Sequence, residues 1–552
     1  MAAFASLHAR SVSLSFGRDP ILDGVDIQLA SGWRVGLVGR NGVGKSTLMR
    51  VLAGLQPLDA GEVSVTPGGA TVGHLPQLLT RDAGETVRAH LSRRTGVADA
   101  TFEMEASTSA LATGAAGADE RYSDALERWL SLGGADLDSR VSAVWADLGL
   151  GERLLDQTMD TLSGGEAARA GLAALLLSQF DVVLLDEPTN DLDLDGLARL
   201  ERWVVSVAAP VLVVSHDREF LRRTVTHVAE LDEFTHRVTM FAGGWDSFLV
   251  ERERAALHAR ERFDEYAGKR ANLLGRGQRE REWATQGLSR AKKRPDDNDK
   301  FVRAFKIDQS EQLAGKAART ERALERLEVI DEPREAWQLR LTFGETTRSG
   351  DVVVRLRGAT CRHGEFRLGP ISLTIGSGER VAVTGHNGSG KSTLLDIVLG
   401  RRELGGGDRW FGPGVVVGEL EQRRAQLVGD GAVLAHFMSA TGLHVPEART
   451  LLAKFGIGAE EVHRPTESLS PGERTRVVLA LLMATGTNLL VLDEPTNHLD
   501  LDAIEQLEQA LEAFHGTIVL VTHDRVFLEN VRLTRRLHLD GGLLVADDAL
   551  TA

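Results

Sequence analysis

A single cysteine, Cys361, stands in a chain of 552 residues. No intrachain disulfide can form, and the sequence suits a reducing compartment. Long apolar runs are missing as well. A membrane-spanning helix needs about 18 uninterrupted apolar residues. The nearest approach, VVLALLMATGTNLLVL, is broken by Thr485, Gly486, Thr487 and Asn488 and reads as a helix, a turn and a buried strand. The opening residues, MAAFASLHARSVSLSFG, hold no apolar segment of signal-peptide length. These absences lead to the expectation of a cytoplasmic chain that neither spans a membrane nor is exported. Disorder is not the dominant state either, because 42% of residues are hydrophobic and 26% charged, as in soluble globular proteins. The length points to roughly three or four structural units.

Internal repetition sets the architecture. GRNGVGKST begins at Gly39 and GHNGSGKST at Gly385, 346 positions later. VGHLPQ and VGELEQ end at Gln77 and Gln422, 345 apart. From LSGGE at Leu162 and LSPGE at Leu469 the spacing drops to 307, and it stays there for the DEPTN segments at Asp186 and Asp493 and for SHDR and THDR around His216 and His523. The chain is a duplication whose first copy carries 38 extra residues. That insertion falls within about 81–145, where Ala-rich, charged composition favours helices. The expected domains are 1–250, a linker over 251–332 with its tip near 288–300, and 333–552.

Each GxxxxGK[ST] motif follows an apolar strand (WRVGLVG, ERVAVTG) and opens an apolar helical run. In that context the loop's N–H groups converge on a polyphosphate, and the helix N-terminus adds positive potential. Lys45 and Lys391 then reach the β and γ phosphates, and Ser46 and Ser392 ligate Mg²⁺. Buried strands (VVLL, LLVL) deliver the acidic pairs Asp186–Glu187 and Asp493–Glu494. The aspartates are placed to hold Mg²⁺ through its water shell and the glutamates to polarise an attacking water. His216 and His523, after VLVV and IVLV, fall beside the γ-phosphate.

With LSGGE present, the set resembles the ATP-binding cassette ATPases over about 6–250 and 351–540. The resemblance implies an α/β fold: two P-loop ATP-binding cassette domains in tandem, joined by a long antiparallel α-helical hairpin. It also implies that the cassettes face each other head to tail, so that ATP joins them and hydrolysis releases them. Site one would combine Gly39, Asn41, Gly42, Gly44, Lys45, Ser46, Thr47, Gln77, Asp186, Glu187 and His216 with Ser470 and Gly472. Site two would combine Gly385, Asn387, Gly388, Gly390, Lys391, Ser392, Thr393, Gln422, Asp493, Glu494 and His523 with Ser163, Gly164 and Gly165. Gln77 and Gln422 would join the serines and aspartates at Mg²⁺. Three departures stand out. Pro471 replaces the first signature glycine and removes one N–H donor. Asp191 stands where the second copy has His498. Phe16 is placed to stack on adenine, whereas its counterpart is Arg362, beside His363.

Between the copies, the apolar series Phe263, Tyr266, Ala267, Ala271, Leu274 and Leu313, Ala317, Thr320, Leu324, Leu327 suit two helices packed as an antiparallel hairpin. A helix of roughly 35 residues would reach about 50 Å. The whole chain is acidic, with 79 Asp+Glu against 64 Lys+Arg, yet residues 251–330 hold 20 cations against 15 anions and 269–306 hold 12 against five. Arg290, Lys292, Lys293, Arg294, Lys300 and Arg303 crowd the tip, with Trp283, Phe301 and Phe305 among them and Pro295-Asp-Asp-Asn-Asp at the turn. A solvated coiled-coil face is the plainer reading of a charge run, but cations clustered at the tip, aromatics among them and otherwise acidic cassettes turn the expectation toward RNA.

Tandem cassettes, paired DEPTN loops, no membrane segment and a long charged linker together resemble the ABC-F subfamily. FAGGWDSFLVERER also looks like that family's segment leading into the linker, and Phe241, Trp245 and Phe248 could equally pack on copy one. The resemblance implies an ATPase that binds the ribosome in its tRNA exit site, with its linker directed at tRNA and the peptidyl-transferase centre. Only 29 residues follow His523. With the modest insertion, this looks more like the antibiotic-resistance branch than like housekeeping members that tune elongation. The competing class is the ATPase subunit of a membrane transporter.

Overall fold

The computed structural model describes residues 5–17, 19–75, 84–162, 164–190, 192–293, 319–320, 322, 324, 326–327, 350–364, 366–420, 427, 431–497 and 499–550. They fall into two compact units, one formed by 1–246 together with 337–552 and the other by 247–336.

In the first unit each copy of the repeat builds the same pair of sheets. Apolar runs such as Val182–Asp186 and Thr517–Val521 are buried along their whole length, as strands covered on both faces require. The six-stranded sheet of copy one runs Val72–Leu75, Val182–Asp186, Val211–Val214, Arg34–Val38, His227–Leu231 and Val238–Ala242, with only the last pair antiparallel. Copy two repeats the order with Val417–Glu419, Leu489–Asp493, Thr517–Val521, Arg380–Thr384, Arg535–Asp540 and Leu543–Ala549. A three-stranded antiparallel sheet accompanies each, centred on Ser6–Phe16 and on Val352–His363. In copy one its inward side chains, Leu7, Val12, Val25 and Ile27, share a core with Val35, Leu37, Leu184 and Leu212 of the larger sheet. The strands that carry function are parallel, so their C-terminal ends share one edge, the edge where open α/β sheets place ligand sites.

The extra residues of copy one are helical. Val87–Arg94, Val97–Ala112, Ala118–Ser131 and Leu137–Asp147 occupy the region where copy two, among the described residues, has Val433–Thr441 and Val445–Lys454. The second and third of these helices are tied by Trp129 Nε1 donating to Thr101 Oγ1 at 3.0 Å and by an Arg128–Glu103 ion pair at 3.1 Å.

The linker helix is longer than the sequence suggests. It runs over Gly244–Lys293, 50 residues, or about 75 Å, because GWDSFLV supplies its first turns instead of preceding it. Trp245 and Phe248 are buried and Phe241 is half-buried. The apolar stripe also differs from the expected one. Phe263, Tyr266, Ala267 and Leu273 are half-buried and Gly277 is buried, while Ala271 and Leu274 face solvent. Tyr266 to Leu273 and Phe263 to Gly277 are multiples of seven, the register that keeps a seam facing a partner helix. On the returning segment Thr320 is buried and Leu324 half-buried. A β-carbon at Gly277 would lie 3.6 Å from the Thr320 methyl. At this point the returning segment lies against the outgoing helix; Leu313, Ala317, Pro295 and the residues that follow it to 299 lie outside the described residues.

Candidate ATP sites between the two cassettes

The phosphate loops dictate their own glycines. Gly39, Gly44, Gly385 and Gly390 all have positive φ. A β-carbon at Gly39 would stand 2.6 Å from Leu231 O, and one at Gly385 would stand 2.2 Å from Leu539 O. Only glycine fits a loop that close to the neighbouring strand. Each loop curls over its lysine. Lys45 Nζ donates to Gly39 O at 2.8 Å and Arg40 O at 3.1 Å, and Lys391 Nζ does the same to Gly385 O and His386 O at 2.8 and 3.1 Å. Burial pulls both ammonium groups below their ordinary range, against the opposing pull of nearby carboxylates. Thr47 is buried and Ser46 and Ser392 are exposed at the starts of helices Lys45–Leu52 and Lys391–Leu399. Gly42 and Gly388 also hold positive φ, and Thr393 is half-buried.

Across from the loops, Asp186 ends its strand and Glu187 turns the chain with φ 51°; Glu494 does so with φ 43°. A left-handed glutamate is uncommon, and the same outlier in both copies marks the site and not a local accident. Glu187 Oε1 lies 3.1 Å from His216 Nε2, and Glu494 Oε1 lies 3.4 Å from His523 Nε2. Burial, reinforced by Asp186, raises the Glu187 carboxyl against the pull of Lys45. Burial and Asp493 raise Glu494 to about 8. Burial and the neighbouring lysines push His216 down to about 3 and His523 down to about 4. Both histidines are therefore neutral, and both glutamates are raised toward neutral pH, Glu187 to about 7 and Glu494 to about 8, so each keeps a deprotonated fraction that can accept a proton.

A cavity of about 370 Å³ joins Asn41, Gly42, Gly44, Lys45, Ser46, Thr47, Asp186, Glu187, Asn190 and His216. Glu187 Oε2 and His216 Nδ1 are buried there without hydrogen-bond partners. A glycine cradle around one lysine, beside a serine and an aspartate, fits a nucleotide with Mg²⁺. Among the described residues no group of three or more His, Cys, Asp or Glu could hold a metal alone; one serine and one aspartate suit Mg²⁺, which keeps several waters and substrate phosphates among its ligands.

The two cassettes meet head to tail. A β-carbon at Gly165, on the signature loop of copy one, would lie 3.2 Å from Asn387 Cβ on the phosphate loop of copy two. A second cavity of about 390 Å³ lies at this interface, lined by Gly165, Asn387, Gly388, Glu494 and both histidines. At the other site the nearest groups to Gly472 are Ala503 and Asp500 of its own cassette, and Asp500 Oδ2 accepts a bond from Asn41 N at 3.1 Å across the interface. Pro471 costs the signature helix nothing. It is the first residue of Pro471–Ala484, a position whose N–H has no helical acceptor. Ser470 and Glu473 form a capping box around it, with Glu473 N donating to Ser470 Oγ at 3.2 Å and Ser470 N donating to Glu473 Oε2 at 2.8 Å.

Phe16 ends its strand 51% exposed. Arg362 Nε donates to Gly364 O at 3.1 Å. Gly164 opens helix Gly164–Leu177. Ser163, Gln77, Gln422, Asp191, His498, Arg294, Lys300, Arg303, Phe301 and Phe305 lie outside the described residues. So do the side chains of His363, Trp283, Arg290, Lys292 and Lys293.

Sequence reasoning passed over the groups that cross the interface. Asp193 Oδ2 accepts from Asn387 N at 3.1 Å, mirroring Asp500 and Asn41. Arg218 pairs with Glu508, and Arg525 with Glu201. The signal was available, since Asp193 and Asp500, Glu201 and Glu508, and Arg218 and Arg525 repeat at the spacing of 307, and Asn41 and Asn387 at that of 346.

A family model described as "ABC transporter" matches residues 22–190 and 368–497. The tylosin resistance ATP-binding protein TlrC of Streptomyces fradiae is 34% identical over 539 residues, covering 94% of each chain. ABC transporter F family member 2 of Arabidopsis thaliana is 28% identical over 568 residues, covering 98% of this chain and 77% of that one. A crystal structure of archaeal ribosomal stalk protein aP1 with ribosome recycling factor aABCE1 shares the fold, with TM-score 0.59, 19% identity and coverage of 98% and 90%.

Proposed function

Because this chain belongs to the ABC-F branch of the ATP-binding cassette family, we propose that it is a ribosome-associated, Mg²⁺-dependent ATPase of the cytoplasm. In this reading it binds in the tRNA exit site and protects the ribosome from antibiotics. One observation carries the proposal: two cassettes closed on each other within one chain, with a 50-residue helix leaving the first. None of the described helices is long and apolar enough to cross a membrane.

At each site Lys45 or Lys391 and the loop N–H groups hold the ATP phosphates, while Ser46 and Asp186, or Ser392 and Asp493, hold the metal that comes with them. The metal's chemistry is neutralisation of charge on the phosphates. Glu187 and Glu494 accept the proton of the attacking water. Their raised pKa places them near the operating pH, where a base is most effective. His216 Nε2 faces Glu187 at 3.1 Å and the His523 backbone N–H donates to Glu494 Oε2 at 3.4 Å, and the neutral imidazoles add no positive charge there.

The basic tip supplies the electrostatic attraction for RNA, so binding should weaken steeply with salt. The similarity to TlrC over nearly all of both chains favours protection over a housekeeping role in elongation. The test is a drug-susceptibility panel of macrolides, lincosamides, streptogramins and pleuromutilins in a host with and without the gene. Raised resistance to at least one class, lost in the Glu187→Gln/Glu494→Gln variant, is the expected result. Unchanged susceptibility to all four moves the assignment to elongation.

A further inference from the structure

The helix after each acidic loop spans from one functional loop of the opposite cassette to another. Asp500 caps Leu501–Glu512 by accepting from Ala503 N through Oδ1 at 3.0 Å, and its other oxygen accepts from Asn41 N in the phosphate loop of site one. Two turns along, Glu508 takes Arg218, with Nη1 donating to Oε2 at 3.2 Å. Arg218 follows His216 of site one by two residues. The mirror helix Leu194–Ser206 does the same for site two. Asp193 Oδ1 accepts from Gly196 N at 3.0 Å, Oδ2 accepts from Asn387 N, and Glu201 takes Arg525, two residues after His523.

We propose that Arg218 and Arg525 are positioning residues that act across the cassette interface. Each ties its site's histidine loop to the rigid opposing helix that also holds that site's phosphate loop. Neither arginine touches the reacting atoms. Through the pair, the distance between phosphate loop and histidine is fixed by one element of the other cassette, so a site is assembled only when the halves close. A helix suits this task because its length is set by its own hydrogen bonds.

The two pairs are not equivalent. Glu201 also receives Arg223 Nη1 at 3.4 Å, whereas the matching position in copy two is Asn530, whose Nδ2 donates to Glu508 at 3.0 Å. Site two is thus held by a carboxylate facing two guanidiniums, and site one by a carboxylate facing one guanidinium and an amide.

The test uses the full chain with one site silenced at a time. In the Glu494→Gln background, which leaves site one active, Arg218→Glu is expected to lower kcat about tenfold or more with KM for ATP little changed. In the Glu187→Gln background, which leaves site two active, the same substitution should cost less than about threefold. Combining Arg218→Glu with Glu508→Arg should recover most of the site-one loss. A single charge reversal can unfold a protein by leaving its partner buried and unpaired. The neutral pair Arg218→Gln/Glu508→Gln, which leaves no such charge, must therefore also lose site-one turnover. Equal losses at both sites, no recovery in the reversed pair, or full site-one turnover in the neutral pair would overturn the proposal. If the Glu→Gln backgrounds themselves kept full turnover, the assignment of the glutamates would fail instead, and the charge-reversal rescue measured in the unsilenced chain would still decide the pairing.

Discussion

At Glu494 the folded state favours the protonated carboxyl, since its pKa rises from 4.5 to about 8 through burial and Asp493. The sign of the linkage follows. A raised folded pKa contributes stability that is full below about pH 4.5 and is lost as pH climbs through about 8. Glu494→Gln removes that ionisation, so its thermal midpoint should match the parent's near pH 5 and exceed it at pH 8.5, by a stability on the order of a few kcal/mol. Equal midpoints at both pH values would mean that the carboxyl is not desolvated. His523, pushed down to about 4, behaves oppositely: its stability term is present above its ordinary pKa and fades as pH falls through about 4. In turnover, Glu187→Gln/Glu494→Gln should bind ATP normally and hydrolyse it at least about a hundredfold more slowly; undiminished kcat would refute the assignment. The motif residues were legible because chemistry fixes their type and spacing. Asp193, Glu201 and Arg218 repeat at the motif spacing, but their roles were not legible, because their partners lie in the other copy and no motif names them.

Elements translate these residues into position. Pro471 reads in sequence as a lost donor, yet as the first residue of its helix it lacks nothing, and its fixed φ suits that turn. Restoring glycine with Pro471→Gly should therefore lower stability by roughly 0.5–1 kcal/mol and leave ATP turnover intact, as urea unfolding and steady-state kinetics would show. The linker helix illustrates what periodicity can and cannot fix. Its existence and the half-buried Phe263, Tyr266 and Ala267 were legible, but Leu273 and Gly277 in place of Ala271 and Leu274 were not, and Gly277 lies against Thr320 of the returning segment, which periodicity within one helix does not show. Its start at Gly244 was missed because GWDSFLV reads equally as packing against the first cassette. Removing 288–306 should keep basal ATPase activity while abolishing any ribosome-dependent effect. A shortened chain that still alters translation or drug susceptibility would separate the tip from function.

For the molecule as a whole, duplication gives two sites built from the same elements, and closure gives each site groups from both halves. The repeat, the break in its spacing and the tandem cassette fold could all be derived from the sequence. The reciprocal Arg218–Glu508 and Arg525–Glu201 pairs, and the asymmetry between Arg223 and Asn530, needed the folded interface. The central claim is that nucleotide-driven closure creates the ribosome-binding form. Its most direct test is sedimentation of the Glu187→Gln/Glu494→Gln protein through a sucrose cushion with purified ribosomes, with and without ATP, across a salt series. The account predicts ATP-dependent co-sedimentation that weakens as salt rises. Failure of the ATP-loaded protein to travel with ribosomes even at low salt would contradict it.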